Sequence, residues 1–142
     1  MAINFDTHEI KYSLKNKRKI VSWIKEIVFN HNKSVGAISI VFTNDEYILE
    51  TNKQYLQHNY YTDIITFDYS NEKVIEGDIL ISLDTVRSNA IKYNATFENE
   101  LLRVIIHGIL HLIGFKDKTE AQSKVMRNNE NQSLEIYFLK YE

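Results

Sequence analysis

The sequence of 142 residues has no cysteine, no proline and only four glycines. Without cysteine there is no disulfide, no thiolate metal site and no cysteine nucleophile, which fits a reducing compartment. Without proline and with so little glycine, turn punctuation is scarce and element boundaries are soft. Long hydrophobic runs are missing too. The most apolar stretch, Val104–Ile113, is too short to span a bilayer and contains two histidines. The start, MAINFDTHEI, has neither the basic region nor the apolar core of a signal peptide. Charge of one sign is also absent. The 17 basic and 19 acidic residues leave a net charge of −2, so nucleic acid would have to be held by a local patch rather than by bulk charge. The expectation is a soluble, cytoplasmic protein with no membrane contact. A hydrophobic share of 44% is that of a globular chain, and this length suffices for one core, so residues 1–142 read as a single domain.

Periodicity orders the chain. Ile3 and Phe5 alternate with polar residues and predict a short strand. From Lys15 to His31, apolar Ile20, Trp23, Ile24, Ile27 and Val28 recur at helical spacing. Val35–Thr43 is rich in β-branched residues and reads as a strand. Asn44 is a candidate cap for a helix burying Ile48, Leu49 and Tyr55. Ile64–Tyr69 and Val74–Ile81 are two further strands, with a turn at Ser70–Glu72. Ser82 suits the cap of a helix carrying Val86, Ala90 and Tyr93, and a second helix covers roughly Glu98–Ile113. Thr119 with Gln122 has the capping-box pattern for a last helix, weakened by the polar run from Arg127 to Gln132. The order β α β α β β α α α predicts an α+β fold. Helices pack on a small mixed sheet of about four strands, and a central buried helix carries the histidines.

That helix holds the chemistry. Leu101–Ile113 is apolar nearly all round, yet Glu100, Arg103, His107, His111 and Gly114 fall on one stripe at about 100° per residue. His107 and His111, one turn apart, have the spacing with which two imidazoles chelate one ion. Gly114 suits a left-handed helix stop, after which Asp117 can fold back as a third ligand. The alternative is a pair of core histidines bonded to backbone carbonyls. Placement favours the metal, since two unpartnered imidazoles on an apolar helix are costly to desolvate. Gly108 in mid-helix costs about 0.5–1 kcal/mol relative to alanine, so something is expected to approach the backbone there. It also replaces the glutamate base of H-E-x-x-H peptidases, which disfavours that class. Three protein ligands leave a fourth position for a metal-bound water. Two histidines and an aspartate suit zinc without selecting it over nickel, cobalt, manganese or ferrous iron.

His107–Asp117, HGILHLIGFKD, resembles the YbeY family motif H-G-x-L-H-L-x-G-Y-D-H. Thr62–Asp68, TDIITFD, is similar to the family's T-D-V-L-S-F-P, and Gly77–Ser82, GDILIS, to its G-D-I-x-I-S. Order and separations agree, and the strong match runs from about Asn52 to Asp117. The resemblance implies an α+β metal-dependent hydrolase. Its activity would be that of a single-strand-specific endoribonuclease acting in 3′-end maturation of small-subunit rRNA and in ribosome quality control. A zinc ion would be held by His107, His111 and Asp117. It implies as partners single-stranded rRNA, the small ribosomal subunit and assembly proteins. Two positions depart from the family. Asp117 stands where the usual motif has histidine, and Leu56 follows Tyr55 where the family pattern N-x-x-Y-R has a substrate-directed arginine. Arg103, Lys116 and His58 are candidates to replace that cation, unless Arg103 simply pairs with Glu100.

Contacts to RNA are less legible. Lys15, Lys17, Arg18 and Lys19 form a basic cluster that reads either as a phosphate patch or as a solvated helix face. Tyr60 and Tyr61 suit base stacking or simple aromatic packing. Asp63 and Asp78 fit either carboxylates orienting the imidazoles or strand-end caps. Leu56 and the missing glutamate base leave room for a ribosome-assembly binding factor with a structural metal. A third class is a metallohydrolase acting on something other than RNA, or a two-histidine-one-carboxylate iron enzyme.

Overall fold

The computed structural model describes residues 2–55 and 62–142. Its elements follow in the order β1 (Ile3–Thr7), α1 (Lys17–Asn30), β2 (Ser34–Thr43), α2 (Asp45–Tyr55), β3 (Ile64–Asp68), β4 (Val74–Ser82), α3 (Leu83–Lys92), α4 (Phe97–Ile113) and α5 (Glu120–Lys140). The order is that expected from periodicity, with ends within two residues for most elements. The strands form one sheet in the spatial order β1-β2-β4-β3. β1 and β2, and β2 and β4, run parallel, while β3 returns antiparallel on β4, so the sheet is mixed and the fold is α+β.

Local chemistry explains where the elements start. Asn44 accepts the backbone N–H of Tyr47 at 2.9 Å and caps α2, and Ser82 accepts that of Thr85 and caps α3. The capping box at Thr119 and Gln122 opens α5. In the β3–β4 hairpin the Asn71 side chain accepts from the N–H groups of Lys73 and Val74, which sets the tight turn.

One sheet face carries the main core. Ile38, Ile40, Phe42, Ile75, Ile79 and Ile81 are buried there beneath α1 and α4. On the other face α2 covers a smaller cluster of Ile48, Ile65 and Leu80. α5 closes over α1 and α4, and the buried Trp23 indole N–H donates to the Ser133 carbonyl at 2.7 Å to tie α5 to α1. The polar run that weakened α5 in sequence is explained by its buried stripe, Met126, Glu130, Ser133, Leu134 and Tyr137. Its glutamate and serine have partners, so burying them is not costly. Among the described residues no helix is long and apolar enough to cross a membrane.

The sheet and α4 are pressed together at two glycines. A Cβ on Gly108 would stand 2.8 Å from Ile64 Cδ1 and 3.0 Å from Ile79 Cγ2, which is the close approach its mid-helix position implied. At Gly77 a Cβ would collide with the Phe67 backbone carbonyl across the β3–β4 pair and stand 2.9 Å from Leu112 Cδ2. Because a backbone oxygen cannot swing aside, Gly77→Ala is expected to destabilise the protein by about 2–3 kcal/mol, read by urea or thermal unfolding. A wild-type midpoint would mean that β3 shifts freely on β4.

Candidate metal centre

α4 ends over the β3–β4 half of the sheet, with its apolar faces buried and its polar stripe turned toward α5. Gly114 stops it with φ +127°, a conformation that glycine adopts without strain, and its N–H bonds the carbonyls of Leu110 and His111. The turn sends the chain back beside the last two turns of α4. Phe115 packs edge-on against His31 at 5.4 Å, and the Asp117 carbonyl accepts from the Ser123 hydroxyl at 3.0 Å. Two groups are thereby delivered to the histidines, the Phe115 carbonyl and the Asp117 carboxylate.

His107 Nε2 and His111 Nε2 lie 3.0 Å apart, and Asp117 Oδ2 stands 3.2 Å from the first and 3.4 Å from the second. Donor atoms around a tetrahedral ion with bonds of about 2.0–2.2 Å are separated by about 3.3–3.6 Å. The triangle is close to one face of such a site, slightly contracted, and these three residues form a group able to hold a metal ion. The tautomers agree. His107 Nδ1 is 2.6 Å from Glu130 Oε2, and His111 Nδ1 is 3.0 Å from the Phe115 carbonyl oxygen. An ionised carboxylate and a carbonyl only accept, so each Nδ1 carries a proton, and with both rings neutral each Nε2 is left with a lone pair facing the other. Such a pair needs a proton or a metal ion between its nitrogens, so the donor set fits a metal ion.

Electrostatics divide the two imidazoles. Burial depresses His111, and the neighbouring His107 adds to this, which keeps its ring neutral as a ligand must be. Burial also works to lower His107, but the Glu130 hydrogen bond and the charges of Glu130, Asp117 and Asp63 outweigh it and raise the imidazole. Burial would raise Glu130, yet its bonds to His107 and Arg103 hold the carboxyl below the usual range. Asp63 and Glu100 line the same region, and burial is the main cause that pushes both carboxyls up.

Glu130 is the residue that sequence reasoning missed. It sits on α5, 23 positions beyond His107, inside the polar run, with its side chain 5% exposed. No spacing rule connects it to α4. The available signal was a polar stripe on α4 that needed a polar partner. Glu130 also takes Arg103, whose Nη1 donates to Oε1 at 2.9 Å. Arg103 is thus at the site, but paired with Glu130 rather than Glu100. Asp63 acts on His107 through its charge. Asp78 lies on the opposite sheet face, opposite Ser39 of β2 and beside Leu80, and orients neither imidazole. Lys116 is exposed on the turn between His111 and Asp117. The basic cluster of Lys15, Lys17, Arg18 and Lys19 is exposed at the head of α1, where Lys15 and Lys19 border the first turn of α4. About ten residues of helix, roughly 15 Å, separate that turn from His107. Leu56, His58, Tyr60 and Tyr61 lie outside the described residues.

Comparison with known proteins gives the family of the chain. The family model described as Endoribonuclease YbeY matches residues 2–137. The protein named Endoribonuclease YbeY of Bacteroides thetaiotaomicron is 48% identical over 134 residues, covering 94% of this chain and 98% of its own. That of Parabacteroides distasonis is 48% identical over 136 residues, 96% of each chain. That of Flavobacterium psychrophilum is 42% identical over 133 residues, 94% of this chain and 95% of its own. The solution structure of TM1509 from Thermotoga maritima superposes with a TM-score of 0.64 at 26% identity, covering 98% of this chain and 93% of that one. Matched by the family model from residue 2 to residue 137, and nearly half identical to relatives along their whole length, the chain belongs to the YbeY endoribonuclease family.

Proposed function

We propose that residues 1–142 form one catalytic domain, a metal-dependent endoribonuclease that hydrolyses phosphodiester bonds in single-stranded RNA. The observation that carries this reading is the triangle of His107 Nε2, His111 Nε2 and Asp117 Oδ2, with both imidazole lone pairs directed inward. Zinc suits two nitrogens and one oxygen in a tetrahedral set, with nickel as the next candidate. A bound divalent ion supplies Lewis acidity toward phosphate oxygens and lowers the pKa of water.

The protein's part is positional. Glu130 and the Phe115 carbonyl fix ring orientation and tautomer, so both Nε2 atoms stay free for the ion. Burial around α4 keeps His111 neutral. Arg103, held by Glu130 with a quarter of its side-chain surface in water, offers its remaining N–H donors to a phosphate oxygen. Lys116 adds a cation on the ligand turn. His58, Tyr60 and Tyr61 complete the substrate contacts proposed from sequence. The motif resemblance extends the reading to small-subunit rRNA 3′-end maturation and ribosome quality control in the cytoplasm, with the small subunit and its assembly proteins as partners.

Stripping the protein with a chelator and restoring single metals tests this. Cleavage of single-stranded but not duplex RNA should vanish with the metal and return with zinc. Failure of zinc-loaded protein to cut single-stranded RNA or isolated small subunits would favour a binding factor with a structural metal. Activity that persists in demonstrably metal-free protein would exclude the mechanism.

A further inference from the structure

α5 brings a second arginine to the site. Arg127 lies one turn before Glu130, and its Nη1 stands 3.3 Å from Glu130 Oε1, the oxygen that already accepts Arg103 at 2.9 Å. The other oxygen of Glu130 holds the ligand His107 at 2.6 Å. One carboxylate therefore faces two guanidiniums, and with His107 neutral the group carries one net positive charge. We propose that Arg127 is a substrate-binding residue that, beside Arg103, grips an RNA phosphate next to the one being cleaved; this rests on the nuclease reading above.

Stability does not account for Arg127. Its side chain is 58% exposed, and an exposed ion pair contributes little to stability. Here the gain is smaller still, because the oxygen is already paired and the two guanidiniums repel each other. Glu130 is the one carboxylate in ion-pair contact with either arginine among the described residues. Glu100 acts on both only through its charge, and burial disfavours its ionised form. The two guanidiniums therefore share a single contacting carboxylate.

Geometry says which anion fits. A guanidinium has five N–H donors in a rigid fork that matches phosphate oxygens two at a time. Among the described residues Arg127 uses only Nη1, so Nε and Nη2 remain for a ligand. Glu130, buried and itself fixed to α4, tethers the head group two contacts from the metal ligand. Less side-chain entropy is then lost on binding than from a free arginine.

The test uses zinc-loaded protein and a fluorescent 2′-O-methyl single-stranded oligonucleotide, with cleavage of unmodified RNA followed in parallel. Arg127→Ala should weaken binding about five- to tenfold and raise KM similarly, with kcat within about twofold. The salt dependence of binding should fall by about 0.7 in log–log slope, the loss of one phosphate contact. Zinc content and melting temperature should stay at wild-type values. Arg127→Lys should restore the slope but only part of the affinity, since an ammonium cannot fork. Unchanged affinity and slope in Arg127→Ala would overturn the assignment, as would a loss of zinc with the slope intact, which would make Arg127 a support for Glu130. Wild-type protein that neither binds nor cuts RNA would instead overturn the nuclease reading itself, and this proposal with it.

Discussion

His111→Ala is expected to abolish zinc retention at stoichiometric metal and to reduce RNA cleavage by about a thousandfold or more, while the protein stays folded. The ring lies over the Gly114 turn with about a quarter of its side chain in water, so its loss opens a notch at the surface rather than a cavity in the core. Two ligands remain, His107 and Asp117, and they still offer one nitrogen and one oxygen. They cannot enclose the ion, so affinity falls steeply instead of vanishing. Metal analysis after gel filtration, circular dichroism and cleavage assays read the three quantities separately. Cleavage at the wild-type rate would place the chemistry elsewhere or in a contaminant. Full zinc content would show that the triangle at His107, His111 and Asp117 is not the site.

Glu130→Ala should have the next largest effect, and it acts on two properties at once. The substitution strands Arg103 and leaves His107 Nδ1 without its acceptor. Removing one member of a buried ion pair costs about 3–5 kcal/mol. Arg103 keeps 25% of its side-chain surface in water, so about 2–3 kcal/mol is expected here, read by urea unfolding of metal-free protein. With zinc present, affinity should fall about 10- to 100-fold, the usual weight of a carboxylate behind a ligand histidine. Glu130→Gln keeps the shape and one acceptor and should lie between. A stable Glu130→Ala protein with wild-type zinc affinity would remove Glu130 from the account.

The same pair predicts how the metal-free protein responds to pH. Glu130 is held below its unfolded pKa, so its contribution is present above the ordinary carboxylate range and is lost as pH falls through the lowered value. His107 is raised above its unfolded pKa. Its contribution is complete below the ordinary imidazole pKa and is lost as pH rises through the raised value. From these two groups the metal-free protein should be most stable between these limits. Glu130→Ala should flatten both flanks. His111, depressed by burial and by His107, adds a loss on the acid side. Unfolding midpoints measured from about pH 4 to pH 9 check this, and identical profiles for the two proteins would exclude the coupling.

What could be read from the sequence was whatever a local period or a short spacing encodes. Period-2 and period-3.6 patterns placed nine elements in order, because burial of one face imposes its period on the chain. Side-chain caps at Asn44, Ser82 and Thr119 were legible, since a cap is satisfied within three residues. The pairing of His107 with His111, the stop at Gly114 and the return of Asp117 span eleven residues, so helix geometry and one short turn bring the three candidate ligands together. Even the crowding at Gly108 was visible as a cost with no local reason.

The tertiary structure decided which charges meet. Arg103 had Glu100 three residues away and chose Glu130, because α5 packs on that stripe and offers a buried carboxylate to both Arg103 and His107. Arg127 reached the site by the same packing, and the lysine cluster at the head of α1 was set apart by the length of α4. The sequence by itself determined the elements, their order and the three candidate ligands, since each depends on backbone periodicity or on spacings under a dozen residues. Only the fold decided the carboxylate behind His107 and the arginines around it, because these contacts join helices whose relative placement is set by the core and not by any local pattern.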